Sequence, residues 1–185
     1  LKGTKREERI YLGNYEVYRV YENETLDKER TTLHIADDTG TICVAETLTH
    51  GTSQNSILNT TVYRYQMSNH LGSVGIELNT DGEIISYEEY HPYGTTAYYW
   101  KSTTISQKRY RFTGKERDDE SGLSYHSARY YVPWLGRWLS ADPAGIVDGP
   151  CLYQYSLSNP VMLRDENGMQ TTNNDIDNCE NELAR

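Results

Sequence analysis

Asp142 closes the run "GRWLSADPAG" (residues 136–145), where an aromatic, arginine-bearing stretch stops at a carboxylate and Pro143 and Gly145 fix the backbone around it. Asp, Pro and Gly are the residues a chain uses to reverse direction, so turn chemistry alone accounts for the local sequence. A chemical role for Asp142 needs a second carboxylate. Other polar groups offer less. His91 and His126 have no second ligand at a spacing that would hold a metal. "ERDDES" (residues 116–121) lacks the alternating oxygen ligands and fixed glycine of a Ca²⁺ loop and reads as a solvated acidic turn. Asp81-Gly82 and Asp148-Gly149 read as plain hairpin turns. Cys43, Cys151 and Cys179 are odd in number, widely spaced and outside any metal-ligand pattern, which makes them small semi-buried thiols.

The elements that must position such groups are strands. The chain of 185 residues carries 17 Tyr against 1 Phe and 3 Trp, and only 36% of its residues are hydrophobic. Tyrosine suits strands and half-buried faces where the ring packs and the hydroxyl finds a partner. This composition predicts an all-β protein with a thin or partly wet core, and the aromatic content argues against disorder. "RIYLGNYEVYRVYEN" alternates near period two around Gly13-Asn14. Leu33 and Ile35 lead into Asp37-Asp38-Thr39-Gly40, and Ile42 and Val44 alternate out, which is a hairpin pattern. Residues 51–61 are polar and turn-rich and read as a loop. A second hairpin is predicted around Thr80-Asp81-Gly82. These irregular strand–turn–strand units have the character of a repeat in which each unit buries its face against its neighbours. Residues 95–108 carry little pattern and are expected to be a loop. No segment has a helical stripe, and residues 170–185 show no strand pattern.

Charge narrows the partners. With 27 acidic and 18 basic residues the net charge is −9, and no Lys/Arg block is present, so nucleic acid is not an expected partner. Apolar runs are too short to span a membrane. The start "LKGTKREERIYLG" has neither a methionine nor a signal-type apolar region, so the sequence reads as a piece of something longer whose targeting is not visible.

Three stretches in order, "NHLGSVGIELNTDGEIISYEEYHPYG", "RFTGKERDDESGLSYHSARYYVPWLGRWLSADPAG" and "LYQYSLSNPVMLRDENG", resemble the core domain of the Rhs (YD-repeat) proteins, a family that includes bacterial polymorphic toxins and the C components of the Tc toxin complexes. The resemblance implies YD-repeat-like strands over residues 1–65, the core domain over 66–169, and the start of a variable C-terminal region over 170–185. It implies hairpins that spiral into a hollow shell, closed at one end by a core that cuts the chain behind itself and frees a C-terminal cargo. Its partners would be that cargo and the upstream shell repeats or a partner shell subunit. No cofactor or metal is implied, and the location would be secreted or cell-surface.

The resemblance also supplies the second carboxylate. Asp142 and Asp165 match the family's paired aspartates, Arg129 matches its associated arginine, and the bond from Met169 to Gln170 is the candidate cleavage site. Peptide hydrolysis by such a pair needs one ionised carboxylate to take a proton from water and one protonated partner to donate. Proximity produces that mixed state, because two close carboxylates cannot both ionise cheaply. A guanidinium beside them steadies the ionised partner or polarises the carbonyl. Arg137, in "GRW", reads as a structural stacker. The sequence departs from the family where Glu166 and Asn167 replace its Asp-Pro-x-Gly pattern, where Cys151 replaces Asn, and where Met169 replaces the usual Leu. Losing the proline implies a looser turn beside the cut. The alternative that the residues leave open is a non-catalytic structural or carbohydrate- or cell-surface-binding YD-repeat module, since such repeats also occur in cell-surface proteins such as the animal teneurins; both aspartates would then serve turns.

Overall fold

In the computed structural model, residues 4–38, 40–52, 57–103 and 105–172 are described. The predicted hairpins succeed one another along the chain. Strand β1 (Lys5–Leu12) turns at Gly13 and Asn14 into β2 (Tyr15–Glu22), pairing Leu12 with Tyr15 and Lys5 with Glu22. Gly13 has φ +64°, the left-handed conformation that a tight turn requires and glycine adopts without strain. Strand β3 (Thr25–Asp37) pairs with β2 through a bulge at Val20 and Tyr21, and β4 (Gly40–Gly51) pairs with β3, placing Leu33 opposite Ala45 and Ile35 opposite Cys43. Thr39, in the expected turn, lies outside the described residues. Strand β5 (Thr61–Ser68) pairs with β4, and β6 (Val74–Leu78), β7 (Ile84–Tyr90) and β8 (Thr96–Lys101) come after it.

The hairpin turn at 79–83 is locked by Asn79, whose Oδ1 accepts the amides of Asp81 and Glu83. Strand β8 corrects the expectation of a loop over 95–108. Its residues pair antiparallel with β7, Tyr99 opposite Glu88 and Trp100 opposite Tyr87. The run "AYYWK" is aromatic on both sides, so it carries no apolar–polar alternation to read.

The chain divides into two units, Leu1–Gln66 with Glu77–Ile85, and Met67–Ile76 with Ser86–Arg185. In the first, the buried positions are unusually polar. Arg64 and Glu77, both buried, pair at 2.6 Å, and Arg64 also reaches Glu46 at 3.3 Å, while Leu33, Ile35 and Ile42 are exposed. Tyrosine rings act as partners for cations, Arg9 lying 4.4 Å over Tyr18, whose hydroxyl donates to Glu7.

In the second unit, four short strands form an antiparallel sheet in the order β12, β11, β10, β9: β9 (Glu116–Arg117), β10 (Ser124–Tyr125), β11 (Tyr130–Val132) and β12 (Arg137–Trp138). The acidic turn at 118–122 joins β9 to β10, as predicted, with the Gly122 amide donating to the Asp118 carbonyl. The core here is aromatic: Phe112, Tyr131, Trp138 and Tyr155, flanked by Tyr90 and Tyr93, with the Tyr131 and Tyr155 rings 4.1 Å apart. The Tyr131 hydroxyl donates to the Tyr93 carbonyl at 2.9 Å, which satisfies a polar group that burial would otherwise penalise. The last pair is β13 (Arg164–Asp165) with β14 (Thr171–Thr172). That pairing corrects the expectation of no strand after Met169; two residues are too short to show periodicity. Among the described residues the helical structure is limited to two 3₁₀ turns, no helix is long and apolar enough to cross a membrane, and no barrel closes. Cys43 is buried, Cys151 is exposed, and Cys179 lies outside the described residues.

Candidate active site

Arg129 precedes β11 and is driven inward. Its guanidinium lies 4.1 Å over the Trp138 ring, and Trp138 faces Tyr131 across the β11–β12 pair. Each nitrogen of its rigid fork has a partner. Nε donates to the Gly168 carbonyl at 2.6 Å and Nη1 to the Leu152 carbonyl at 3.2 Å. Nη2 meets both aspartates, Asp142 Oδ2 at 2.7 Å and Asp165 Oδ2 at 3.3 Å. The Arg129, Asp142 and Asp165 side chains are only 1%, 5% and 1% exposed. The three residues singled out from sequence are thus brought together on one nitrogen.

Asp142 closes a turn with one oxygen and meets the guanidinium with the other. Its Oδ1 accepts the Ala144 amide at 2.8 Å, closing the turn, while Oδ2 faces Arg129. Its own amide donates to Leu152, whose carbonyl also takes Arg129. Asp165 is bound to the backbone that leads to the candidate bond. Its Oδ1 accepts the Gly168 amide at 2.7 Å and the Met169 amide at 3.2 Å. Burial pushes the Asp165 carboxyl above its ordinary value, against the opposing pull of the Gly168 amide, the Arg129 charge and the Met169 and Gln170 amides. Met169 and Gln170 themselves are exposed.

The turn beside the bond is closed without the proline. Asn167 Oδ1 accepts the Met169 amide at 2.9 Å, and the Asn167 carbonyl accepts the Ala128 amide at 3.1 Å. Arg137 stacks at 5.5 Å on Tyr153, as a structural residue does. His126 is structural too: buried in the aromatic core, its Nδ1 lies 2.7 Å from the Asp165 carbonyl. Burial lowers its pKa to about 3, so the ring is neutral. Sequence reading missed Trp138 as the platform and Leu152 as the shared acceptor, since strand register and a backbone carbonyl leave no mark in residue type.

Gly168 is where the site has no room. It has φ +74°, and an added Cβ would come within 2.9 Å of the His126 carbonyl oxygen and 3.0 Å of the Arg129 nitrogen, both backbone. Gly168→Ala is expected to destabilise the chain by about 1–2 kcal/mol from the left-handed backbone alone. Because the same residue bonds both Arg129 and Asp165, any cleavage at Met169 should slow by about a hundredfold. Urea denaturation and a cleavage time course measure the two effects separately.

No family model matches the chain. Among the proteins it is similar to are Rhs-type polymorphic toxins, and the chain shares the antiparallel β architecture of its structural neighbours. In particular, it is 48% identical over 108 residues to Toxin subunit YenC1 of Yersinia entomophaga, a match covering 57% of this chain and 11% of that protein. It is 36% identical over 110 residues to the tRNA nuclease WapA of Bacillus subtilis strain 168, covering 57% of this chain and 5% of that one. The crystal structure of TcdB2-TccC3 without its hypervariable C-terminal region superposes with a TM-score of 0.81 at 36% identity, over 90% of this chain and 8% of that one. The chain therefore spans about a tenth of the length of the curated toxin subunit it matches.

Proposed function

We propose that this segment cleaves its own chain after Met169, acting once as an intramolecular aspartic peptidase at the end of a β shell and freeing the polypeptide from Gln170 onward as cargo. Residues 1–65 would contribute shell repeats, 66–169 the core, and 170–185 the start of the variable region of a secreted toxin. The observation that carries this is the single Arg129 nitrogen shared by Asp142 and Asp165, with Asp165 hydrogen-bonded to the Met169 amide. The hypervariable C-terminal region named for TccC3 supports a variable segment at this place.

In the reaction, Asp142 takes a proton from water, whose oxygen attacks the Met169 carbonyl carbon. Asp165, disposed by burial to hold a proton, donates it to the Gln170 nitrogen as the carbon–nitrogen bond breaks. The products are a Met169 carboxylic acid and a Gln170 amine, with the proton now on Asp142 and Asp165 left ionised. Arg129 fixes the preceding peptide through the Gly168 carbonyl. Tethering makes the effective concentration of the bond high, so modest chemistry suffices for one turnover.

Intact mass of the whole chain beside Asp142→Asn and Asp165→Asn tests this. The parent is expected to lose the piece beginning at Gln170, while both variants stay whole. Release of the same piece from either variant would remove the mechanism. A folded but uncut parent would leave the non-catalytic structural reading instead.

A further inference from the structure

We propose that Asp148 is a positioning residue for the bond from Met169 to Gln170, holding the chain on the far side of the cut through Thr171; this rests on the cleavage reading above. Asp148 Oδ2 accepts two hydrogen bonds from that one residue, from the Thr171 amide at 2.7 Å and from the Thr171 hydroxyl at 2.6 Å. Thr171 also pairs with Asp165, and Thr172 with Arg164, whose carbonyl takes the Thr172 hydroxyl at 3.3 Å. On the near side the backbone is held by Asp165 through the Gly168 and Met169 amides and by Arg129 through the Gly168 carbonyl. Met169 and Gln170 therefore stretch between two anchors, and both are exposed where the anchors are not.

The second anchor is geared to the first. Asp142 and Asp148 belong to one run of consecutive turns, in which the Gly145 amide donates to the Asp142 carbonyl and the Gly149 amide to that of Ile146. Gly145 and Gly149 take φ +78° and +102°, which keeps the run tight. The segment that supplies the proton acceptor thus also fixes the substrate beyond the scissile bond, so the two cannot drift independently. Because one carboxylate oxygen takes both an amide and a hydroxyl, the second residue after the cut is selected for a β-hydroxyl, Thr or Ser. Sequence reading made Asp148-Gly149 a plain turn because the partner is distant along the chain.

The test is a cleavage time course by intact mass on the full chain. Asp148→Ala and Thr171→Val should each slow cleavage by about tenfold to a hundredfold, the range expected when a reacting bond loses its alignment. Thr171→Ser should cut at the parent rate, since it restores the hydroxyl. The double variant should be no slower than Asp148→Ala alone, because Asp148→Ala already removes the hydroxyl contact that Thr171→Val removes. The pH profile of the rate should keep its shape in all of them, which distinguishes positioning from proton transfer. Thr171→Val replaces one hydroxyl by a methyl on a half-buried strand end, so it reports on the contact even where Asp148→Ala disturbs the turn. A parent that cuts while Asp148→Ala and Thr171→Val cut equally fast would overturn the role of Asp148 alone. An uncut parent would overturn the cleavage reading and this role together.

Discussion

Arg129→Met leaves the chain uncut and lowers its stability by about 3–5 kcal/mol at neutral pH, the usual result of removing one partner from a buried charge cluster. Met fills much of the stem volume over Trp138, so the loss is one of charge and hydrogen bonding more than of packing. Without the guanidinium, the buried carboxyls of Asp142 and Asp165 lose their shared cation, and the Gly168 carbonyl loses its Arg129 donor while the Leu152 carbonyl keeps only the Asp142 amide. Unpaired buried acceptors add their own penalty. The pH dependence has a definite sign. The variant's deficit shrinks on acidification as Asp165, whose carboxyl burial already pushes above its ordinary value, takes up a proton. Urea midpoints of parent and variant between neutral and acid pH measure it. A deficit that stays constant across that range would mean that lost packing, not the unpaired carboxylates, is responsible. Adding Asp142→Asn and Asp165→Asn to Arg129→Met should recover part of the stability without recovering cleavage, separating structure from chemistry.

The hairpins were legible because turn residues and period-two alternation are local properties. Gly13-Asn14 and Asp81-Gly82 fall where the strands reverse. The site residues were legible only through their order in a longer pattern, since Asp142 and Asp165 are each ordinary turn aspartates by local sequence. What binds them, the shared Arg129 nitrogen, depends on how β11, the turn at 142–149 and β13 come together, and spacing does not encode that. Strand β8 was missed because an aromatic run has no polar face to alternate with. In the first unit, alternation gave the strands but not the side that is covered. Leu33, Ile35 and Ile42 are exposed, and the buried positions include Glu16, Arg64 and Glu77. Charges survive there because they pair, so residue hydrophobicity alone points to the wrong face.

Acid should loosen the core beneath the candidate site through His126. The ring packs edge-on to Trp138 at 5.1 Å, Tyr131 at 5.9 Å and Tyr155 at 6.0 Å, and its Nε2 has no hydrogen-bond partner. Protonation would put a charge there with nothing to accept from it. Burial accordingly lowers the His126 pKa to about 3 from an ordinary 6.5. The folded chain thus binds fewer protons at this group than the unfolded chain, so stability is lost as pH falls from 6.5 towards about 3, and is unaffected above that window. The slope approaches about 1.4 kcal/mol per pH unit, a total of several kcal/mol that rivals the loss at Arg129. His126→Phe keeps the aromatic contacts and should flatten that slope, while losing about 1–3 kcal/mol at neutral pH from the unpaired Asp165 carbonyl. Denaturation midpoints across the window decide it; equal slopes in parent and variant would mean that the acid sensitivity lies elsewhere. Since Nδ1 holds the backbone of Asp165, expelling the ring also releases the aspartate from its register. Cleavage should therefore fall on acidification as His126 is protonated, and His126→Phe should remove that part of the pH dependence.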